Sequence, residues 1–472
     1  MRYINLLPVA ASVATAIVLP DDATAQQLGL DLEKPAEKAE KAAPAWWDSV
    51  RSAPEAAFDF IDKRAHNLLD QIETFYETDA AEDVFGIAGL HGGHGPYNLT
   101  LYQAINLSNY TKKFAALVND FPDVVDLLNS TKTNSTVFIP LDKAFEKIPD
   151  HGHKPPKEFV EKVIEYHVLS GVYPAGRVLA SHTLPTSLKS KFLGDCPQRL
   201  RASLSLFGLK LNFFSKIVKA DQFFKNGVAH GVDNILVPPP PAGRTIQLFP
   251  SKFSTLELAA KKTGLFSHHE HGKDDDHKHF EPRTTGLTIF APTNNAFARL
   301  GPAANAFLFN TEKGLGFLRA LLKYHIVMNE TLYSDAYYGQ KGQSEDIFAQ
   351  STSNDDVSAT SSEKNGHFHV DLPTLLDGKH LSIDIARFFG FITMTINGAA
   401  KVAVEDGVCL DGVIHVMGSV LFPPRTPGSG ASWTEADGEI SVEELVDILQ
   451  PYVDEDGETN SPAGGDQVWG EL

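Results

Sequence analysis

TVFIPLDKAF (residues 136–145) and TIFAPTNNAF (residues 288–297) are one ten-residue phrase written twice in the same chain. In each copy a β-favouring run (Thr136–Ile139 in the first) meets a proline, then a side-chain oxygen, then an apolar pattern of helical spacing. The phrase therefore reads as a strand, a joint and a helix. Asp142 and Asn294 stand where a helix N-cap belongs, with oxygens placed to accept orphan backbone N–H groups. Phe145 with Ile148, and Phe297 with Leu300, supply the i, i+3 pairs that would bury the new helix. The joint holds no nucleophile and no metal-ligand set, so its role is structural.

Two further echoes keep the same order. YHVLSGVY (166–173) is answered by YHIVMNETLY (324–333), and NGVAHGVDNILVPP (226–239) by DGVIHVMGSVLFPP (411–424). Self-similarity at long period signals a duplicated structural unit. In the second motif the helix-patterned runs 159–169 and 315–327 deliver a Tyr-His pair, and Phe159, Val163, Tyr166 and Val168 share an apolar side only in part, so the helix gives way near the pair. In the third motif Gly227 and Gly412 permit a turn. An apolar strand is expected to follow, through Val232, Ile235 and Val237 or through Val416, Val420 and Leu421, and prolines end it. The polar run 339–366 reads as a loop insertion in the second copy.

These motifs, twice in register, resemble the fasciclin family, whose units are called FAS1-like domains. The resemblance covers residues 98–240 and 243–424. It implies an α/β (α+β) fold of two tandem domains, each a β-wedge packed with several helices, serving extracellular adhesion rather than catalysis. The two-domain layout looks most like a secreted fungal member. In animal members of the family the Tyr-His pair is linked to integrin-type binding, which makes Tyr166, His167, Tyr324 and His325 the candidate adhesion residues. Asp233 joins them, since it matches the family's acidic position. The chain departs from the pattern at Leu141, where a Thr is usual, at Asn294, in place of the capping Asp, and at Gly418, where the second copy lacks the counterpart of Asp233. For each Tyr-His pair and for His230 and His415, the competing reading is a buried residue satisfied inside its own domain.

The flanks point to a compartment. Residues 1–25 have an early positive charge at Arg2, an apolar run from Ile4 to Leu19 and small residues before Gln26, the pattern of a secretory signal peptide. The competing reading, a membrane anchor, suffers from Pro8 within a run already short for a bilayer. Six sequons, at Asn98, Asn106, Asn109, Asn129, Asn134 and Asn329, fit a glycosylated secreted protein. The destination expected is the extracellular space or cell wall, with the vacuolar lumen as the alternative. Cys196 and Cys409 are the two cysteines of the chain. In an oxidising compartment they pair with each other as a disulfide, pair between chains, or stay buried.

A net charge of −19 over 472 residues argues against nucleic acid and anionic membrane surfaces as partners. Residues 425–472 carry twelve acidic residues and one Arg, and so read as a solvated, mobile acidic tail. Within it, residues 433–445 resemble half an EF-hand loop, but Trp433 occupies the first ligand position, where calcium needs an oxygen. The better reading is a capping box, Ser441 with Glu444, opening a short helix that stops before Pro451. Upstream, residues 26–97 form a linker and a helical extension, in which Phe58, Ile61, Ala65, Leu68, Ile72 and Phe75 mark an amphipathic helix. It docks on the first domain or mediates dimerisation.

One stretch invites metal chemistry. HHEHGKDDDHKH (268–279) holds His268, His269, His271, His277 and His279, imidazoles suited to weak Zn²⁺ or Cu²⁺ binding. The competing reading is a solvated surface loop, and the set His91, His94, His151 and His153 is sparser. No resident cofactor is implied. There is no GxSxG, Walker-type or GxGxxG motif and no CxxC, so the chain reads as a binding protein and not an enzyme. Its partner is a cell-wall, matrix or surface-protein ligand, and a metal- or small-ligand-binding protein is the alternative.

Overall fold

The computed structural model describes residues 98–147, 155–205, 208–265, 285–339, 344–347, 366–388, 391–424 and 439–453. The signal peptide, the amphipathic extension, the His-rich stretch 268–279 and the set His91, His94, His151 and His153 lie outside these residues, as does most of the polar insertion. By internal contacts the chain forms two compact units. One runs up to Pro155 and adds 172–176 and 204–235; the other comprises 156–171, 177–203 and everything from Leu236 on.

The first repeat contributes helices α1 (Leu101–Leu107), α2 (Lys112–Asn119), α3 (Pro122–Asn129), α4 (Asp142–Glu146), α5 (Lys157–Tyr166) and α6 (Ala175–Ala180). Its strands are β1 (Ser135–Pro140), β2 (Val168–Ser170), β3 (Thr183–Ser190), β4 (Cys196–Ser205), β5 (Gly208–Leu211), β6 (Ser215–Phe224) and β7 (Gly227–Val232). After it come α7 (Ala242–Leu248), α8 (Pro250–Thr263), α9 (Asn294–Ala298), α10 (Pro302–Asn310), α11 (Glu312–Tyr324) and α12 (Val442–Leu449). The strands of the second repeat are β8 (Leu287–Pro292), β9 (Ile326–Met328), β10 (Thr331–Leu332), β11 (Ala336–Tyr338), β12 (Ser344–Asp346), β13 (Gly366–Pro373), β14 (His380–Phe388), β15 (Phe391–Ile396), β16 (Ala400–Val408) and β17 (Val413–Met417). Each repeat thus combines a seven-strand sheet with helices, the α/β class expected.

In the first unit β1 runs parallel to β7, from Ser135 opposite Gly227 to Pro140 opposite Val232, and β6 pairs antiparallel with β7. Both β1 and β7 are buried along their whole length, which is why they read as continuous apolar runs. Helices α1 to α3 bury Leu101, Ile105, Phe114, Val118 and Leu128. Asn226, itself buried, ties these helices to the sheet. Its Oδ1 accepts from Leu101 N–H at 2.8 Å, and its Nδ2 donates to the Leu128 and Ser130 carbonyls, each at 2.8 Å.

In the second unit the same parallel pairing recurs between β8 and β17, inside a sheet ordered β13-β14-β15-β16-β17-β8-β9. Helices α8, α10 and α11 supply Phe253, Leu256, Leu308, Phe317 and Leu321 to its core.

Three expectations are corrected. Asp142 and Asn294 sit in the first helical position rather than at the N-cap, which Leu141 and Thr293 occupy. Their side chains bind neighbouring helices instead: Asp142 Oδ1 accepts from Lys113 N–H at 2.8 Å, and Asn294 Oδ1 from Thr255 N–H at 2.9 Å. Gly412 precedes its strand at a bend, as the sequence suggests, whereas Gly227 is itself the first residue of its strand. A Cβ at Gly227 would lie 1.8 Å from the Ser135 carbonyl oxygen, and at Gly412 2.0 Å from that of Leu287, so the two backbones meet too closely for any side chain. The strands accordingly end early, at Val232 and Met417, and Ile235, Val237, Val420 and Leu421 lie beyond them.

The third correction concerns the acidic tail. Residues 439–453 are folded, not a solvated mobile segment: Ile440, Leu445, Ile448, Leu449 and Tyr452 are buried in the core of the second unit. Ile440 N–H donates to the Leu300 carbonyl at 3.2 Å, and the Tyr452 hydroxyl to that of Pro424 at 2.8 Å. The capping residue is as expected, with Ser441 Oγ accepting from Glu444 N–H at 3.1 Å. Acidic residues dominate the composition of this segment, but its apolar residues fall on one helical face, and burial of that face decides the outcome.

Candidate functional site

Both Tyr-His pairs sit where a helix ends. Tyr166 closes α5 and Tyr324 closes α11, and His167 and His325 are the C-cap residues, still in right-handed helical geometry. Each imidazole Nδ1–H donates to the carbonyl four residues back, Val163 at 2.6 Å or Leu321 at 2.8 Å. Each Nε2 accepts a backbone N–H from the segment after the third-motif strand, Leu236 at 3.0 Å or Leu421 at 2.9 Å. One neutral tautomer therefore satisfies two backbone groups that would otherwise be buried and unpaired. Burial lowers both imidazoles to about 4, so they carry no charge at neutral pH.

The tyrosines are equally internal. Tyr166 and Tyr324 have no exposed surface, and their hydroxyls are taken up by the Arg199 carbonyl at 2.9 Å and by Asn397 Nδ2, which donates at 2.9 Å. A side chain with no exposed surface cannot touch a macromolecular ligand. The two histidines fasten each helix end to the segment that follows the third-motif strand. Asp233 is half-buried and works locally, accepting from Lys216 N–H at 2.7 Å and pairing with Lys147 at 3.5 Å.

His230 and His415 form a second matched set. Each is fully buried and stacks on a β1 or β8 aromatic ring, Phe138 or Phe290, with centroids 5.4 Å apart. His230 Nε2–H donates to the Tyr173 carbonyl and His415 Nε2–H to that of Leu332, each at 2.8 Å. The Nδ1 atoms accept from the N–H of Asp221 and Asp406, at 3.2 and 3.4 Å. Both aspartates have positive φ, 55° and 60°.

Sequence reasoning did not single out a polar cluster inside the second unit. Arg199 on β4 is buried, with its guanidinium 5.5 Å from the Tyr333 ring centre and 5.8 Å from that of Tyr338. It pairs with Asp335 at 3.7 Å and donates to the Thr183 carbonyl at 3.0 Å and the Tyr338 hydroxyl at 3.2 Å. Burial opposes its charge, but Asp335 and Tyr338 hold it protonated. Beside it the Ser334 hydroxyl donates to Asp406. Such a cluster locks a packing arrangement, since removing one partner strands a buried charge. An Arg in an alternating strand gives no hint of a partner more than a hundred residues away.

The two thiols lie in the same unit. Cys196 and Cys409 are both buried, and among the described residues neither takes part in a disulfide. Burial pushes both thiols upward, which suppresses the thiolate that disulfide exchange needs. Of the sequon asparagines, Asn98, Asn106, Asn109, Asn129 and Asn134 are exposed and Asn329 is half-buried. Among the described residues, no helix is long and apolar enough to cross a membrane.

Comparison with known proteins agrees with this duplicated scaffold. The Fasciclin domain family model matches residues 109–238 and again 251–423. The chain is 29% identical to Aurofusarin biosynthesis cluster protein S of Gibberella zeae over 76% of its own length and 87% of that protein. It is 27% identical to Stabilin-2 of Rattus norvegicus over 42% of its length and 14% of that protein. Among solved structures it is similar to a FAS1 domain pair from the insect cell adhesion molecule Fasciclin I, with 17% identity over 66% of this chain and 96% of that one, at a TM-score of 0.29. With two matches that together span more than half of its residues, the chain belongs to the Fasciclin domain family.

Proposed function

We propose that this protein is a secreted glycoprotein that binds cell wall, matrix or another surface protein through its paired fasciclin domains, without turnover of a substrate. The observation that carries the reading is the double family match. Two modules on one chain give two binding faces, so weak contacts add through effective concentration. The Tyr-His pairs serve this function from inside, as the fastening that keeps each module rigid.

Retention of the purified, glycosylated protein on cell-wall and matrix preparations, with and without EDTA, tests the proposal. Saturable retention that survives EDTA is expected, and no retention on any preparation overturns it. Protein recovered from the medium is expected to begin at Gln26 and to lose mass on enzymatic deglycosylation.

A second reading has one observation in its favour. The fungal relative is named for a biosynthesis cluster and aligns over most of both chains. On this reading the paired modules hold a small molecule or a soluble partner protein rather than a cell surface. It predicts no saturable retention on walls, and co-purification of a defined soluble partner.

A further inference from the structure

Strand β13 ends its sheet, and among the described residues β14 is its one strand neighbour. Its eight residues pair with β14 in an unbroken register, from Gly366 opposite Arg387 to Pro373 opposite His380, so no bulge turns its open edge away. The strand carries no Lys or Arg, and its proline is its last residue. The devices that usually blunt an edge are therefore missing, and a row of backbone N–H and C=O groups faces outward.

The strand in the same place of the first repeat is covered. There β3 pairs with β4 on one side and bridges to β2 on the other, at Leu169 opposite Thr186. Ahead of that bridge, Thr183 N–H donates to Asp335 Oδ2 at 2.8 Å. The matching contact of β13 comes after its end, where Leu375 N–H donates to the Ile326 carbonyl of β9 at 2.7 Å. Leu372, beside that contact, is buried, whereas Phe368 and Val370 are only half-buried against the core. The open length is the stretch 366–371.

The residue pattern says what fits this edge. His367, His369 and Asp371 are exposed on the outer face, and Phe368 and Val370 alternate with them on the inner one. Opposed residues of neighbouring strands share a face, so an added strand must set outer residues against outer residues. The stretch meets this condition with itself. When His369 faces His369 of a second, antiparallel copy, each His367 faces the other copy's Asp371, and Phe368 faces Val370 on the inner side. Pro373, which has no N–H to give, then falls outside the central pairs. Each His369 is held by Asp384 of its own chain at 2.8 Å, so the two rings on the axis bring no unpaired charge.

We propose that β13 is a dimerisation edge, which pairs antiparallel with β13 of a second copy about a two-fold axis at His369 and joins the two sheets into one. An interface of this kind is isologous, and the reciprocal His367–Asp371 pairs fix its register. The inference goes beyond the adhesion reading and does not depend on it, because association is measured with no surface or ligand present.

Sedimentation equilibrium of the full-length glycosylated chain over a range of concentrations tests it. A reversible monomer–dimer equilibrium is expected. His367→Asp sets two carboxylates against each other at both ends of the pairing, and should weaken the dimer about tenfold or more. The double variant His367→Asp with Asp371→His restores opposite partners in reversed order and should regain most of the loss. This recovery separates the pairing from a folding defect, since the double variant keeps the first substitution. A chain that stays monomeric at every concentration overturns the proposal. So does a dimer that His367→Asp leaves unchanged, which would place the contact elsewhere in the chain, or a double variant no better than the single one.

Discussion

The two repeats use the same joints and differ in how completely the joints are satisfied. In both, a histidine ring bridges a helix end to the segment after the third-motif strand, and a second histidine stacks on the parallel strand beside it. Around these fixed points three positions diverge. Thr293 caps its helix, with its hydroxyl accepting from Ala296 N–H at 3.2 Å, while Leu141 offers no side-chain cap. Asp233 has no carboxylate counterpart at Gly418. Asn226 makes three hydrogen bonds, whereas Asp411 accepts from Ala242 N–H at 2.8 Å and leaves Oδ2 buried without a partner. Contacts that hold the backbone together are kept in both repeats, and side chains vary where one hydrogen bond more or less is tolerable.

The largest effects should come from the glycines that the two repeats share. With no space for a Cβ against Ser135 or Leu287, Gly227→Ala and Gly412→Ala must separate the parallel strands that form the centre of each repeat. Each is expected to cost more than about 4 kcal/mol, the range reached by severe steric lesions. Yield of folded protein and urea unfolding would read the loss. If either variant kept its midpoint, the strand contact would not be the common element.

Next in size are the helix-end histidines. His167→Ala or His325→Ala leaves a backbone N–H and a carbonyl unpaired in the interior and opens a cavity, a cost of about 3–4 kcal/mol. The sign of their pH dependence follows from their lowered pKa. Unfolded imidazoles bind protons below about 6.5, while the folded ones resist until about 4, so they contribute stability that is lost as pH falls through that window. Asp411 works in the opposite direction. Burial raises it to about 6 against about 3.9 unfolded, so its contribution falls as pH rises over nearly the same range.

Exchanging the asparagine and the aspartate sharpens the contrast. Asn226→Asp faces a buried carboxylate toward the Leu128 and Ser130 carbonyls and should cost about 3 kcal/mol at pH 7. Asp411→Asn removes the buried charge and should gain on the order of 1–2 kcal/mol at pH 7. At pH 4, where the native carboxyl is already protonated, that gain should vanish. Urea midpoints at the two pH values decide it, and a gain of equal size at both would mean that the charge is not what burdens Asp411.

Much of this organisation was legible before any coordinates. The duplicated phrases located β1 and β8, the helices that follow them and the third-motif strands, because continuous apolar runs and turn residues are local signals. Local signals also misled. The capping oxygens were assigned one residue late, because Asp142 and Asn294 are capable caps whose actual partners, Lys113 and Thr255, are distant in sequence. The Tyr-His pairs stand out as motifs with two readings, adhesion and burial inside the domain, and only what packs over each helix end decides for burial. Residues 439–453 look like tail because charge masks the apolar helical face of Leu445, Ile448 and Leu449.

The smallest prediction bears on the helix cap that the repeats do not share. Thr293→Ala removes one charge-neutral cap from a five-residue helix, so a loss of about 1 kcal/mol is expected. Thr293→Ser keeps the oxygen and should cost little, which separates the cap from any methyl packing. Leu141→Ala provides the control in the other repeat. No cap is lost there, so the whole effect is packing and should not depend on an oxygen being restored by Leu141→Ser. If Thr293→Ala and Thr293→Ser lost equally, the hydroxyl would be idle, and the two repeats would be joined at this position in the same way.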